Sequence, residues 1–258
     1  MFINNFNPVA IQIFSVEIRW YSLAYIFGIL LGWFYCKKIL IKEKNISRLF
    51  DDLISYIIIG IILGGRLGYV IFYNLEYYLN NLIEILMIWQ GGMSFHGGLL
   101  GVIAATMIFS KKNSVDKFIF LDLISVSAPV GIFLGRISNF INSELYGRET
   151  EVLWSVVFAK VDNVPRHPSQ IYEAVLEGLI LFLIMFIFTK KNYLSRPGLI
   201  SSLFLIFYSL FRFFVEFYRV PDEQLGFIFL NLTMGQIISV IFFCFGFYLF
   251  SIKKNENR

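Results

Sequence analysis

The chain has 258 residues, of which 57% are hydrophobic and only 16% charged, and its mean hydropathy is +0.70. These values exclude an ordinary soluble domain and describe an all-α polytopic membrane protein with no separate soluble domain, the whole of residues 1–258 forming one integral membrane domain. Two cysteines, Cys36 and Cys244, are too few for a disulfide framework and read as packing residues; the net charge of +4 matters less than where the charges fall.

The first 17 residues lack the basic leader of a secretory signal, and Asn4, Asn5, Asn7 and Pro8 interrupt their apolar run. The segment is expected to be retained as an amphipathic piece lying on the membrane surface. Beyond it, the requirement for about 20 mostly apolar residues per crossing gives seven candidate spans, near 18–36, 53–73, 95–110, 118–142, 171–189, 199–218 and 232–252. The third is short and glycine-rich, which leaves open a span that begins as a loop dipping into the membrane.

The connections sort by charge. Lys37, Lys38, Lys42, Lys44 and Arg48 follow span one, Lys111, Lys112 and Lys117 follow span three, Lys190, Lys191 and Arg196 follow span five, and Lys253, Lys254 and Arg258 follow span seven. The opposite connections hold far fewer cations, so the positive-inside rule puts the N-terminus outside and the C-terminus in the cytoplasm. The longest outer connection, 143–170, contains VLWSVVFAKVD with partial strand alternation followed by Pro165 and Pro168, and is expected to form a loop or small extracytoplasmic cap.

Arg66, Arg136 and Arg212 lie inside apolar stretches, where a cation costs roughly 2.5–3.5 kcal/mol on insertion scales. Such residues point to a bundle-facing site for an anionic ligand. In the topology above, Arg19, Trp20 and Tyr21 open span one from outside, His96 opens span three, Arg136, Asn139 and Asn142 close span four, and Arg212, Glu216 and Arg219 end span six. Most of the costly residues thus fall in the outer half of the bilayer. Arg212, Glu216 and Arg219 have i, i+4 and i+7 spacing, which stacks them on one helical face with Glu216 able to pair with either arginine. An intrahelical salt bridge is the bland account, but one carboxylate cannot neutralise these arginines together with Arg136, and surplus positive charge favours a phosphate.

Glycines frame these positions in GGRLG (64–68), GGMSFHGG (91–98) and GGLLG (97–101). Close helix packing through Gly64 with Gly68 and Gly97 with Gly101 is the simplest reading, while the glycines flanking His96 also suit a ligand's close approach. An unperturbed histidine titrates near neutrality, so His96 is a candidate proton acceptor or a structural residue; His167 reads as structural or as a lip of the site. Two histidines without cysteine or carboxylate at ligand spacing give no metal centre. GxSxG, P-loop and HExxH signatures are absent from the sequence, no cofactor is called for, and topology and anionic lipid explain the lysines without nucleic acid.

GGRLGYVIFYN (64–74), GGMSFHGGLLG (91–101), GRISNFINSELYGR (135–148), RHPSQIYEAVLEG (166–178), FRFFVEFYRVPD (211–222) and TMGQIIS (233–239) resemble, in order, the blocks of the bacterial prolipoprotein diacylglyceryl transferase family. The resemblance implies a seven-span enzyme of the bacterial inner membrane. It would move the diacylglyceryl group of phosphatidylglycerol onto the lipobox cysteine thiol of a preprolipoprotein, forming a thioether and releasing glycerol 1-phosphate, in the first step of bacterial lipoprotein modification. By matching motif positions, it implies functional roles for Tyr21, His96, Arg136, Asn139, Gly147, Arg212, Glu216 and Arg219. The partners implied are phosphatidylglycerol, the lipobox signal peptide and membrane lipid, and the connection at 143–170 is short for the family. The residues fit that chemistry: Arg136 and Arg212 would hold the phosphoglycerol head, Arg219 and Glu216 the outer mouth, and either His96 or an arginine's field would promote the thiolate. The rival class is a transporter or flippase for an anionic lipid, which the crowding of polar residues in one leaflet and the lack of an internal repeat disfavour.

Overall fold

A computed structural model describes residues 2–14, 16–221, 226–229 and 231–256, with the side chains of Phe95, His96 and Phe229 outside that description. The chain divides into two compact units, one of residues 1–35 and 122–258 and the other of residues 36–121. Each expected apolar stretch is helical: α1 (Trp20–Leu40), α2 (Lys44–Tyr73), the short α3 (Leu75–Asn80), α4 (Phe95–Lys112), α5 (Lys117–Asn142), α6 (Ser169–Lys190), α7 (Leu199–Val215) and α8 (Met234–Glu256). Among the described residues, five of these, α1, α2, α5, α6 and α8, are long and apolar enough to cross a membrane, and α7 is a shorter apolar helix. Their faces carry large apolar side chains that stay exposed, such as Phe27, Leu30, Ile59, Leu63, Leu183, Ile187, Ile241 and Phe245. That is the pattern of helices bathed in lipid rather than in water.

The fold is not purely helical. β1 (Phe2–Asn4) runs parallel to β4 (Val156–Phe158), which pairs antiparallel with β5 (Pro165–Arg166); the alternation read in 152–162 thus becomes a buried strand. β2 (Val9–Ile13) and β3 (Val16–Arg19) form a hairpin. Ile11, Ile13, Phe14 and Val16 are exposed on it, so the N-terminal segment displays apolar side chains from extended backbone. A last pair, β6 (Phe227–Phe229) and β7 (Leu232–Thr233), precedes α8.

In the unit of residues 36–121, α2 lies against α4 through small residues. A Cβ added to Gly64 would sit 2.7 Å from the Cα of Gly101, one on Gly68 would sit 2.7 Å from the Cα of Gly97, and one on Gly60 would meet Ala105 at 2.9 Å. Backbone touches backbone here, so the glycines at 64, 68, 97 and 101 are packing residues, as small-xxx-small spacing requires. Gly91 and Gly92 differ: their φ values of 86° and 77° lie in the left-handed region, where a side chain is strained.

In the other unit, α1 meets α5 where Gly28 approaches the Cα of Gly131 and Gly32 approaches Ser127. Pro129 lies within α5, where it removes one helical hydrogen bond. The N-terminus of α7 is fixed by a buried carboxylate from α5: Asp122 accepts from the backbone N–H of Gly198 at 2.8 Å and of Ser201 at 2.7 Å, and from the Ser201 hydroxyl. Orphan donors at a helix start are satisfied there by negative charge, which sets the helix that carries Arg212.

Gly64→Leu forces branched carbon into the backbone of α4 and is expected to destabilise the protein by about 1–3 kcal/mol. Gly98→Ala, whose added Cβ comes no closer than 3.8 Å to Ile61 O, is expected to be tolerated. Thermal unfolding in detergent distinguishes the two.

Candidate functional site

Three guanidinium groups and three carboxylates meet inside the unit of residues 1–35 and 122–258. Arg136, in the C-terminal turns of α5, points Nε at Glu173 Oε2 at 3.1 Å and Nη2 at Glu177 Oε2 at 3.5 Å. Arg212, in the last turn of α7, donates Nη1 to Glu173 and Nη2 to Glu216, and lies 3.7 Å from Glu177 Oε1. Arg219 Nη1 is 3.5 Å from Glu173 Oε1. The side chains of Glu173 and Glu177 are wholly buried, and that of Arg136 is 15% exposed. Glu173 therefore faces all three cations, which is what permits a carboxylate with no solvent contact.

The backbone of α6 brings this about. Its first turn, Ser169–Glu173, is α-helical, Ala174–Ile180 is a π-helix, and the α-helix resumes at Leu181. The π-helical stretch widens the helix where Glu173 and Glu177 enter the cluster, and such segments often mark functional positions. Gly178 permits the approach of α5, since a Cβ there would meet Phe133 Cβ at 2.7 Å.

The expected helical stack of Arg212, Glu216 and Arg219 holds only in part. The helix ends at Val215 and turns, so Arg219 arrives through an antiparallel bridge with Gly147. Arg148 N–H donates to Tyr218 O at 2.8 Å, Val220 N–H to Tyr146 O at 3.3 Å and Gly147 N–H to His167 O at 3.0 Å. Gly147 sits within this crossing. Any Cβ there would strike His167 and come within 2.8 Å of Tyr218 O, so glycine is required for close backbone approach. Gly235, at the start of α8, does the same for Glu216: an added Cβ would overlap its carboxyl group, 2.8 Å from Cδ.

Asn139 is buried. It donates from Nδ2 to Glu144 Oε2 at 3.1 Å, and Asn142 donates to the other oxygen at 3.3 Å. The two asparagines thus hold the exposed Glu144 at the end of α5. Tyr21 opens α1, its hydroxyl 3.3 Å from that of Tyr25 and within the electrostatic reach of Arg136 and Glu144. Ser138 donates to Trp20 O at 3.2 Å, which ties the same end of α5 to the start of α1.

The sequence reading needs two corrections. Glu216 is not the single carboxyl group facing Arg136 and Arg212: Glu173 and Glu177 stand against them as well. Arg66 has backbone carbonyls as its partners where the sequence reading expected an anion. It belongs to the other unit, is 3% exposed, and donates to carbonyl oxygens of Glu84, Ile85, Gly91 and Gly92. Four residues escaped the sequence reading: Glu144, Glu173, Glu177 and part-buried Tyr208, one turn before Arg212 and within electrostatic reach of the cluster. Glu173 and Glu177 fall in an apolar span at i, i+4 spacing, the same signal that singled out the arginines. His96 lies in the first turn of α4, in the unit of residues 36–121, and its side chain is outside the described residues.

His167 packs edge-on against Tyr218 and Tyr172, with Nδ1 3.1 Å from the Tyr172 hydroxyl. Burial lowers its pKa and favours neutral imidazole, which is the structural role. Beside it, Arg166 forks onto Asp162 at 2.6 and 3.2 Å and lies over the Tyr146 ring at 5.0 Å. Among the described residues no cluster of three or more His, Cys, Asp or Glu side chains is arranged to hold a metal.

Apolar lipid-facing helices around a buried, ion-paired arginine and glutamate cluster define a helical membrane protein with an internal charged site. Residues 8–252 match the family profile for prolipoprotein diacylglyceryl transferase, and the chain belongs to that family. It is 50% identical over 248 residues to the phosphatidylglycerol–prolipoprotein diacylglyceryl transferase of Rickettsia felis, covering 95% of this chain and 96% of that protein. The protein of the same name from Rickettsia akari is 51% identical over 95% and 96% of the two chains. That from Azospirillum brasilense is 47% identical over 94% and 92%.

The Arg166 fork holds the Asp162 carboxyl below the usual carboxylate range. A depressed folded pKa contributes stability above the unfolded value, about 4, and that contribution disappears as pH falls through the folded one. Asp162→Asn is therefore expected to speed proteolysis of residues 143–168 at pH 7, with the difference from the parent protein vanishing in strong acid.

Proposed function

We propose that this protein transfers the sn-1,2-diacylglyceryl group of phosphatidylglycerol to the lipobox cysteine thiol of a preprolipoprotein signal peptide. The cysteine sulfur attacks the glyceryl carbon that bears the phosphate, a C–S thioether bond forms, and the C–O bond to the phosphate breaks. Glycerol 1-phosphate leaves with the bonding electron pair, and the thiol proton passes to a base. The observation that carries the reading is the convergence of Arg136, Arg212 and Arg219 in one buried cluster within a chain of this family.

Arg136 engages the carboxylates through Nε and Nη2, and Arg212 through Nη1 and Nη2. This leaves Nη1 of Arg136 and Nε of Arg212 to reach a phosphate. An arginine keeps its charge in any environment and binds such oxygens in a fixed planar geometry, so negative charge growing on the leaving phosphate is met by donors already in place. Glu173 fixes the aim of all three arginines. Glu216, held by Gly235, keeps Arg212 from rotating away. Tyr21, Asn139 and Gly147 border the lipid head: Tyr21 at the start of α1, Asn139 by holding Glu144, Gly147 by admitting Arg219. His96 acts as proton acceptor for the thiol, directly or through water.

The chain crosses the bacterial inner membrane seven times, α4 and α7 being the shorter crossings, with the N-terminus outside and the C-terminus in the cytoplasm. The lysines and arginines in the last turns of α1, α4, α6 and α8 and in the connections beyond them support this orientation. It puts the cluster toward the outer leaflet and makes the sheet of β1, β4 and β5 part of an extracytoplasmic cap.

Purified protein incubated with phosphatidylglycerol and a lipobox peptide should add a diacylglyceryl mass to the peptide and release glycerol phosphate; no mass gain by the parent protein would refute the function. Arg136→Lys keeps the charge but loses the fork, and should lower kcat on the order of 10²–10³-fold. Undiminished turnover would eliminate the phosphate clamp. In the parent protein the rate should rise with pH as the base that takes the thiol proton loses its own. His96→Gln should lower the rate and erase that limb; an unaltered profile would remove His96 as the base.

A further inference from the structure

Arg66 is as costly as any residue in the chain, and the arginine–glutamate cluster does not use it. It sits in the C-terminal half of α2 with 3% of its surface exposed. Its Nε donates to Ile85 O at 2.9 Å, Nη2 to Glu84 O at 2.5 Å, and Nη1 to Gly91 O at 2.5 Å and Gly92 O at 3.3 Å. The ring of Tyr78 lies 5.0 Å below the guanidinium, a further desolvated cation contact. Two of these carbonyls come from the 3₁₀ turn Leu82–Leu86 and two from the glycine pair that follows the turn Ile88–Gln90. Irregular backbone at membrane depth needs protein partners for such groups. One side chain supplies them at both ends of the segment.

The segment is tied a second time to the neighbouring residue. Ser94 N–H donates to Gly65 O at 2.9 Å, and Ser94 Oγ accepts from Gly97 N–H at 3.2 Å as the N-cap of α4. Between these ties run Gly91 and Gly92 at φ of 86° and 77°. A Cβ on Gly92 would lie 2.9 Å from Arg66 Nη1 and against the Tyr69 ring, so the glycine is fitted to the arginine. His96 follows Ser94 by two residues, in the first turn of α4.

We propose that Arg66 is a positioning residue for the transfer reaction: its guanidinium fixes the backbone of residues 84–94 and through it the backbone of the first turn of α4, which carries His96. This rests on the proposed role of His96, and it excludes the alternative that Arg66 binds the lipid phosphate. A lysine keeps the charge but has three donors on one nitrogen and cannot fork to carbonyls on both sides of the segment.

Arg66→Lys is therefore expected to lower kcat for diacylglyceryl transfer on the order of 10- to 100-fold, with KM for phosphatidylglycerol unchanged. Amide exchange should quicken in residues 84–98 while α2 on the cytoplasmic side keeps its protection. Wild-type kcat, or a raised KM at unchanged kcat, overturns the proposal; the second result would make Arg66 a phosphate ligand. If the lysine variant does not accumulate in membranes, Tyr78→Leu keeps the guanidinium and removes only the ring beneath it. It should give a smaller loss of kcat, again without change in KM, and unchanged kcat there also overturns the proposal. Failure of the parent protein to transfer lipid would sink the function instead, and the exchange measurement would still test whether Arg66 orders the segment.

Discussion

A guanidinium carried into apolar surroundings keeps its charge, because arginine does not deprotonate in proteins, and so the surroundings have to be built around it. Glu173 is the residue on which that construction turns. It has no exposed surface and stands against Arg136, Arg212 and Arg219 at once. Were it neutral or absent, three cations would repel one another with Glu177 and Glu216 as the remaining counter-charges; with it, α5, α6 and the end of α7 acquire fixed mutual positions. A cluster of this kind is costly to assemble, since desolvation offsets much of the attraction between buried ions. In the proposed function its use is preorganisation: donors held in place before any ligand arrives need not reorganise when charge develops.

The unit of residues 36–121 solves the same problem by a different route. Arg66 meets backbone carbonyls and an aromatic ring in place of carboxylates. Its positive charge is thereby spread over neutral dipoles, which suits a residue that orders a connection more than one that receives an anion. The glycine stripe on α2 serves the same end. With Gly60, Gly64 and Gly68 lying against Gly97, Gly101 and Ala105, the two helices approach closely, and in lipid, where no hydrophobic effect drives helices together, such close contact is the main source of association.

Much of this could be read from the residues themselves. Hydropathy located apolar stretches that are helical, five of them among the described residues long enough to cross a membrane, and the cost of charge in lipid singled out Arg66, Arg136 and Arg212, with Glu216 added by its helical spacing, before any contact was known. Other features depend on three-dimensional placement. Glu173 and Glu177 follow the motif RHPSQ and carried the same signal of charge in an apolar span, but nothing in their spacing shows the π-helical stretch from Ala174 to Ile180 that begins between them, or which arginines they meet. Arg219 looked like a third residue on one helical face, yet α7 ends four residues earlier, and a bridge to Gly147 delivers it. Arg66 was legible as unusual but not as structural, since the carbonyls that satisfy it belong to a segment some twenty residues further on and carry no signature in side-chain chemistry.

Those misreadings share a cause that bears on how the site works. Sequence spacing reports which residues share a helical face, whereas the decisive contacts are made where helices stop being regular: the π-helical stretch in α6, the turn after Val215, and the glycine pair before α4. At each place the backbone departs from the α-helix and a charged side chain is re-aimed or anchored. Regular helices supply the apolar exterior that a bilayer demands, but a continuous stripe of α-helical positions would spread Arg212, Glu216 and Arg219 over about 10 Å of helix axis at 1.5 Å per residue. The turn after Val215 breaks that stripe. Arg219 then reaches Glu173 from the direction of Gly147 while Arg212 reaches it from α7, and a single carboxylate can bind both from different sides. The irregular backbone is thus what turns scattered intramembrane charges into one cluster.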